Sequence, residues 1–133
     1  MPGIETVEHG GALLAMLIRR DVRPAATTFP SAPEHPLQLG FVVYPAGGEV
    51  ARHRHLPLER RLTTTSEVIL VREGACLLDV YDLGESLLRT WELSAGDVVL
   101  LLAGGHGFRM TQDTVLLEVK QGPYTGLAEK ERF

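Results

Sequence analysis

Short apolar runs alternate with polar residues along this chain, and turn-forming residues interrupt them every eight to twelve positions. That rhythm predicts short β-strands joined by tight turns. Ala12–Ile18 (ALLAMLI) is the first apolar run. Gly10-Gly11 before it and Arg19-Arg20-Asp21 after it favour a strand, although its Ala, Leu and Met content suits a helix. Residues 1–11 read as a polar lead-in. Residues 22–36 hold four prolines, which exclude a helix and point to an irregular arm with a short strand near Thr27–Phe29.

Leu37–Tyr44 (LQLGFVVY) and Glu49–His55 are the next predicted strands, separated by the turn Pro45-Ala46-Gly47-Gly48. A polar loop, Leu56–Ser66, follows. Glu67–Val71, Cys76–Tyr81, Leu87–Leu93, Val98–Leu102, Phe108–Met110 and Val115–Lys120 complete the set. The turns Asp82–Glu85 and Ser94–Asp97 and a glycine loop, Ala103–Gly107, punctuate it. An all-β sandwich or barrel is therefore expected.

A chain of 133 residues fits one domain, here an N-terminal arm (1–36), a barrel core (37–120) and a tail (121–133). Such a length buries enough surface to fold without a metal or disulfide. The net charge of −4 and the Lys and Arg residues, which do not gather on one stretch beyond Arg52/Arg54 and Arg60/Arg61, argue against a nucleic-acid partner. One cysteine, Cys76, cannot form an intramolecular disulfide, so a reducing cytoplasm is expected. Cys76 itself reads as a small buried hydrophobe. Glu5 and Glu8 do not suit a signal peptide, and no apolar run approaches the roughly 20 residues of a membrane helix.

Chemistry concentrates between Gly47 and Gly74. His53 and His55 stand two apart, so on a strand both imidazoles would face one side and Arg52 and Arg54 the other. Imidazole binds metals and titrates near neutral pH. Two strand histidines can equally be inert. Glu67 heads an apolar strand, and His106 follows a glycine turn. His9 and His35 lie in polar or Pro-rich segments and are expected to be exposed. Trp91, Tyr44, Tyr81, Phe41 and Phe108 read as core, with Phe108 nearest the His106 turn.

The order Gly47, His53-x-His55, Glu67, Gly74, followed by Gly96-Asp97 and Gly104-Gly105-His106, resembles the two motifs of the cupin superfamily, G(X)5HXH(X)3,4E(X)6G and G(X)5PXG(X)2H(X)3N. The resemblance implies a double-stranded β-helix, or jelly-roll barrel, with a metal inside it. The implied ligands are His53, His55, Glu67 and His106. Eleven residues separate His55 from Glu67, where the family has three or four. Glu59 meets that spacing but lies in a loop without the following glycine. Leu102 stands for the motif proline, His106 comes one residue early, and the terminal Asn is missing.

The segments TSEVILVREGACLLDVYD, GDVVLLLAGGHGF and EVKQGPYTGLAEKERF resemble small bacterial cupins met beside genes for surface-polysaccharide or sugar-nucleotide synthesis. The implied cofactor is one divalent transition metal, and the donor set suits Zn, Fe, Ni or Mn. The implied ligand is a small molecule held in the barrel, of sugar or sugar-nucleotide type, with the metal as Lewis acid. Two other readings stand beside it. One is a metal-independent isomerase or epimerase with His53 or His55 as general base. The other is a non-catalytic binding module. A homodimer is also implied, with Ala12–Ile18 available as an exchanged strand.

Overall fold

The structure is a computed structural model describing residues 1–133, with 127 and 128 described by backbone alone. Chain contacts divide it into two compact units, residues 1–22 with 64–133, and residues 23–63. The first unit holds all eight strands. They are β1 (Ile4–His9), β2 (Ala12–Ile18), β3 (Glu67–Glu73), β4 (Ala75–Tyr81), β5 (Leu87–Ser94), β6 (Val98–Leu101), β7 (Gly105–Met110) and β8 (Val115–Lys120). A short 3-10 turn at Gly126–Glu129 follows.

Two antiparallel sheets result, in the orders β1-β2-β6-β3-β8 and β5-β4-β7. β6 (VVLL) is the central strand of its sheet, with both edges paired by β2 and β3, and three of its four apolar residues are buried. Inward-facing residues alternate along each strand. Ile69 and Val71 of β3, Val99 and Leu101 of β6, and Ala15 and Leu17 of β2 pack with Cys76, Leu78 and Val80 of β4 and Trp91 and Leu93 of β5. This shared core makes the first unit a β-sandwich. Cys76 is buried within it, as its sequence context predicts.

The turns are built from polar side chains. Asp82 Oδ1 accepts the backbone N–H groups of Gly84 and Ser86, both at 2.9 Å, and closes the β4–β5 hairpin. Asp97, in the β5–β6 turn, is buried yet satisfied. Its carboxylate accepts Arg20 N–H at 2.9 Å, Ser94 N–H at 3.0 Å and the Arg19 guanidinium at 3.3 Å. Gly74 turns β3 into β4 with φ of 84°, and a Cβ there would strike the Asp113 carbonyl.

The second unit, residues 23–63, is organised differently. Thr28 and Phe41 exchange both backbone hydrogen bonds, at 2.7 and 3.0 Å. Ser31 Oγ accepts Leu39 N–H at 2.9 Å and donates to Gln38 Oε1 at 3.0 Å. Phe29 lies over Gly40, where any Cβ would enter its ring. Beyond the turn at residues 46–47, every residue from 49 to 65 is exposed, and 49–63 form no backbone hydrogen bond among the described residues.

Several expectations are corrected. Residues 4–9 form a strand, not a lead-in, because Ile4 and Val7 give β1 apolar positions to set against β2. Leu37–Tyr44 forms only an isolated bridge at Phe41, and Glu49–His55 forms no strand. Strand propensity there finds no ladder to join, and propensity without a neighbouring strand is weak. Tyr44 is exposed instead of core. Ala12–Ile18 is not a free strand for exchange, since β1 and β6 pair with both of its edges. Among the described residues no helix is long and apolar enough to cross a membrane.

Candidate functional site

β3 and β7 belong to different sheets, and each brings one predicted ligand to the same end of the sandwich. Glu67 is the first residue of β3. It sits on the face that Ile69 and Val71 bury, by the alternation of the strand. His106 lies on β7 opposite Val80, and Phe108 two residues on packs against the core. The two faces meet, and His106 Nε2 lies 3.3 Å from Glu67 Oε2. His106 is therefore on a strand, where the sequence suggested a glycine loop. Gly104, with φ of 75°, makes the preceding turn.

The contact with His106, first by hydrogen bonding and then by charge, holds the Glu67 carboxyl below its ordinary range. Burial opposes this, and Glu118 and Lys120 add smaller lowering effects. Glu118 and Lys120 were missed as neighbours of the pair. The signal for them is strand parity. Lys120 is the cross-strand partner of Glu67 on β8, and Glu118 is two residues away on the same face. Lys120 is itself held by Glu129 at 3.0 Å and lies 5.6 Å from the Tyr124 ring centroid. The tail thus brings an acid and an aromatic ring to the cation beside Glu67. The rings of His106 and Phe108 meet edge-on with centroids 6.2 Å apart.

His53 and His55 lie in the second unit, and their rings also meet edge-on, 5.2 Å apart. Without a strand, no pleat fixes their side chains to one face. Instead the His53 Nδ1–H donates to the Ala51 carbonyl at 2.7 Å. That bond leaves Nε2 as the free nitrogen. Glu59 is an exposed residue of the same stretch. His9 is exposed as expected, and His35 is half-buried.

The predicted ligands are thus brought together as two pairs, Glu67 with His106 and His53 with His55. The donor types fit a divalent transition metal, since imidazole and carboxylate suit Zn, Fe, Ni and Mn alike. Number is the constraint. Within neither unit do three His, Cys, Asp or Glu side chains gather closely enough to hold an ion, among the described residues. Glu67 and His106 supply two donors, and a protein site needs three or four.

A cleft of about 520 Å³ opens elsewhere on the sandwich, lined by Arg19, Cys76, Glu92, Ser94 and Thr111 among others. Arg19 there is already engaged by Glu5, Asp97 and the Glu92 carbonyl. No family model, curated protein or solved structure matches this chain.

Proposed function

We propose that this chain is a metal-binding cupin whose ligands are His53, His55, Glu67 and His106. The observation that carries the reading is the Glu67–His106 contact at 3.3 Å, made by strands of opposite sheets with the carboxyl held below its usual range. A carboxylate and an imidazole facing one another offer two donors of the types a divalent transition metal takes. The His53-x-His55 pair raises the donor count to four. A bound divalent metal would polarise an oxygen of a small substrate. Lys120 and Glu118 then flank the position that substrate occupies and favour a polar, oxygen-rich molecule. A sugar or sugar-nucleotide class comes from sequence resemblance alone.

Elemental analysis of freshly purified protein tests the reading. The expected result is about one transition metal per chain, lost in His106→Ala with the fold kept. Full loading in that variant would overturn the ligand set. The Glu67–His106 contact also fits a second reading, acid–base catalysis. A carboxylate beside an imidazole fixes its tautomer and supports it as a proton acceptor. Metal-free protein that still binds a sugar nucleotide, and loses turnover in Glu67→Gln, would support that reading.

A further inference from the structure

Lys120 stands directly opposite Glu67 on the β8–β3 ladder. Opposite charges so placed attract, because their Cβ atoms lie about 5 Å apart. Glu118, two residues from Lys120 on the same face, offers it a second carboxylate. Neither is its ion-pair partner. The Lys120 Nζ lies 3.0 Å from Oε1 of Glu129 and 5.6 Å from the centroid of the Tyr124 ring, both in the tail beyond β8. Glu129 is the first cause that raises the Lys120 ammonium above its ordinary value, ahead of Glu118 and Glu67.

The tail is fixed beside both site residues. At its start, Gln121 Oε1 accepts the Ser66 N–H at 2.8 Å, and the Gln121 N–H donates to the Ser66 carbonyl at 3.3 Å. Ser66 is fully buried and precedes Glu67. Further along, the Phe133 ring meets Tyr81 edge-on with centroids 5.1 Å apart, and it covers Gly105, where a Cβ would strike it. Gly105 precedes His106. Between these anchors, Thr125 Oγ1 donates to Glu129 Oε2 at 3.0 Å, so both oxygens of the Glu129 carboxylate are engaged. The tail therefore runs from the five-stranded sheet to the three-stranded one, at the end where Glu67 and His106 meet.

We infer that the tail positions the charges of this site: by holding Lys120 on Glu129, it keeps that ammonium off Glu67 and leaves the carboxylate to His106 and to a bound cation. The reasoning is competition for one ammonium. Lys120 has three N–H donors on a flexible stem. Without the Glu129 carboxylate, the anions left beside it are Glu118 and Glu67. A Lys120–Glu67 pair occupies the carboxylate that now faces His106, and a metal ion must displace the ammonium before it can bind. Glu129 acts through Lys120 and is a positioning residue. The consequence for metal rests on the reading above, and the choice of partner by Lys120 does not.

Zero-length carbodiimide crosslinking of the full chain, after treatment with a chelator, tests that choice. The reagent joins an ammonium to a carboxylate in contact with it, and peptide mass spectrometry locates the amide. Wild type should give a Lys120–Glu129 link. Glu129→Gln should give a Lys120–Glu67 link with unchanged circular dichroism. Phe133→Ala, which frees the far anchor, should give a mixture of the two. A Lys120–Glu67 link as the main product of wild type, or none in either variant, overturns the inference.

Zinc titration calorimetry reads the consequence. Glu129→Gln should bind zinc about fivefold more weakly than wild type, the size of a single half-exposed ion pair. Lys120→Met should bind zinc at least as tightly as wild type, and Glu129→Gln added to it should change nothing further. That rescue separates competition by Lys120 from general loosening of the tail. Zinc affinity indifferent to Glu129→Gln, or weakened by it equally with and without Lys120, overturns the positioning role. A wild type that binds no zinc removes the metal reading, and the crosslinks then decide the inference by themselves.

Discussion

The sandwich unit and the arm unit carry similar kinds of apolar residue and use them oppositely. In the sandwich, Leu17, Leu78, Val80 and Leu100 are fully buried between paired strands. In the arm, Val42, Val50, Leu56 and Leu58 are more than half exposed, on a backbone that pairs little. Hydrophobicity alone therefore does not make a core. A β-branched or aliphatic run becomes a buried strand only where a neighbouring strand satisfies its backbone and a facing sheet covers its side chains. The sandwich supplies both, whereas the arm has one isolated bridge, Thr28–Phe41, and no sheet.

Cutting the same atoms from both regions tests that contrast most sharply. Leu78→Ala removes a side chain with no exposed surface from the centre of β4. A loss of about 4 kcal/mol is expected, from lost transfer energy plus the cavity left behind. Leu56→Ala, at 73% exposure in the arm, should change stability by less than about 0.5 kcal/mol. Urea unfolding of both variants measures the difference. Equal losses would mean that the arm has a core of its own.

Two glycines with nearly the same backbone conformation sharpen the comparison further. Gly74 and Gly47 have φ of 84° and 85°. A Cβ at Gly74 meets the Asp113 carbonyl and the Thr114 hydroxyl, whereas a Cβ at Gly47 meets nothing within 4 Å. Gly47→Ala should cost about 1 kcal/mol, the backbone penalty alone. Gly74→Ala should cost about 3 kcal/mol, because the β3–β4 turn must also move away from the β7–β8 turn. Thermal melts of the pair give the ratio directly. A larger loss at Gly47 would place hidden packing in the arm.

The sandwich was legible because its turn chemistry and strand alternation agree at each step. Asp82, Gly84, Ser94 and Gly96 fall at turns, and the strand from Val115 to Lys120 is bounded as the sequence suggests. Glu67 at the head of β3 was legible for the same reason. β1 was not, because Glu5, Glu8 and His9 outweigh Ile4 and Val7 in any local reading. Its pairing with β2 through the Gly10-Gly11 turn is what makes it a strand. The arm misled in the other direction. LQLGFVVY and the His53-x-His55 segment have strand propensity and a turn between them, yet pairing is a property of a partner and not of a run. Glu118 and Lys120 stayed hidden because their relation to Glu67 depends on β8 register, which no local pattern states.

Polar networks give the finest version of the contrast, since one is charged and the other is not. Asp79, buried on β4, accepts the Arg109 guanidinium at two positions of 2.9 Å and the Thr90 hydroxyl at 2.6 Å. It ties β5 and β7 to the strand between them. The arm's counterpart is Ser31, buried and bonded to Gln38 and Leu39. Arg109, followed by Thr90, holds the Asp79 carboxyl below its ordinary value of 3.8. A depressed carboxylate adds stability that is fully present above the unfolded value and is lost as pH falls through the folded one. Asp79→Asn should therefore cost about 2 kcal/mol at neutral pH. Its deficit against wild type should shrink steadily once the pH drops below about 4. Ser31→Ala should cost about 1 kcal/mol by the same deletion of hydrogen bonds. That loss should stay level across the same range, because a hydroxyl carries no titrating charge. Urea midpoints of wild type and both variants from pH 7 to pH 3 separate the two regions. A deficit for Asp79→Asn that stays level in acid would mean that Arg109 holds this carboxylate without stabilising the sandwich.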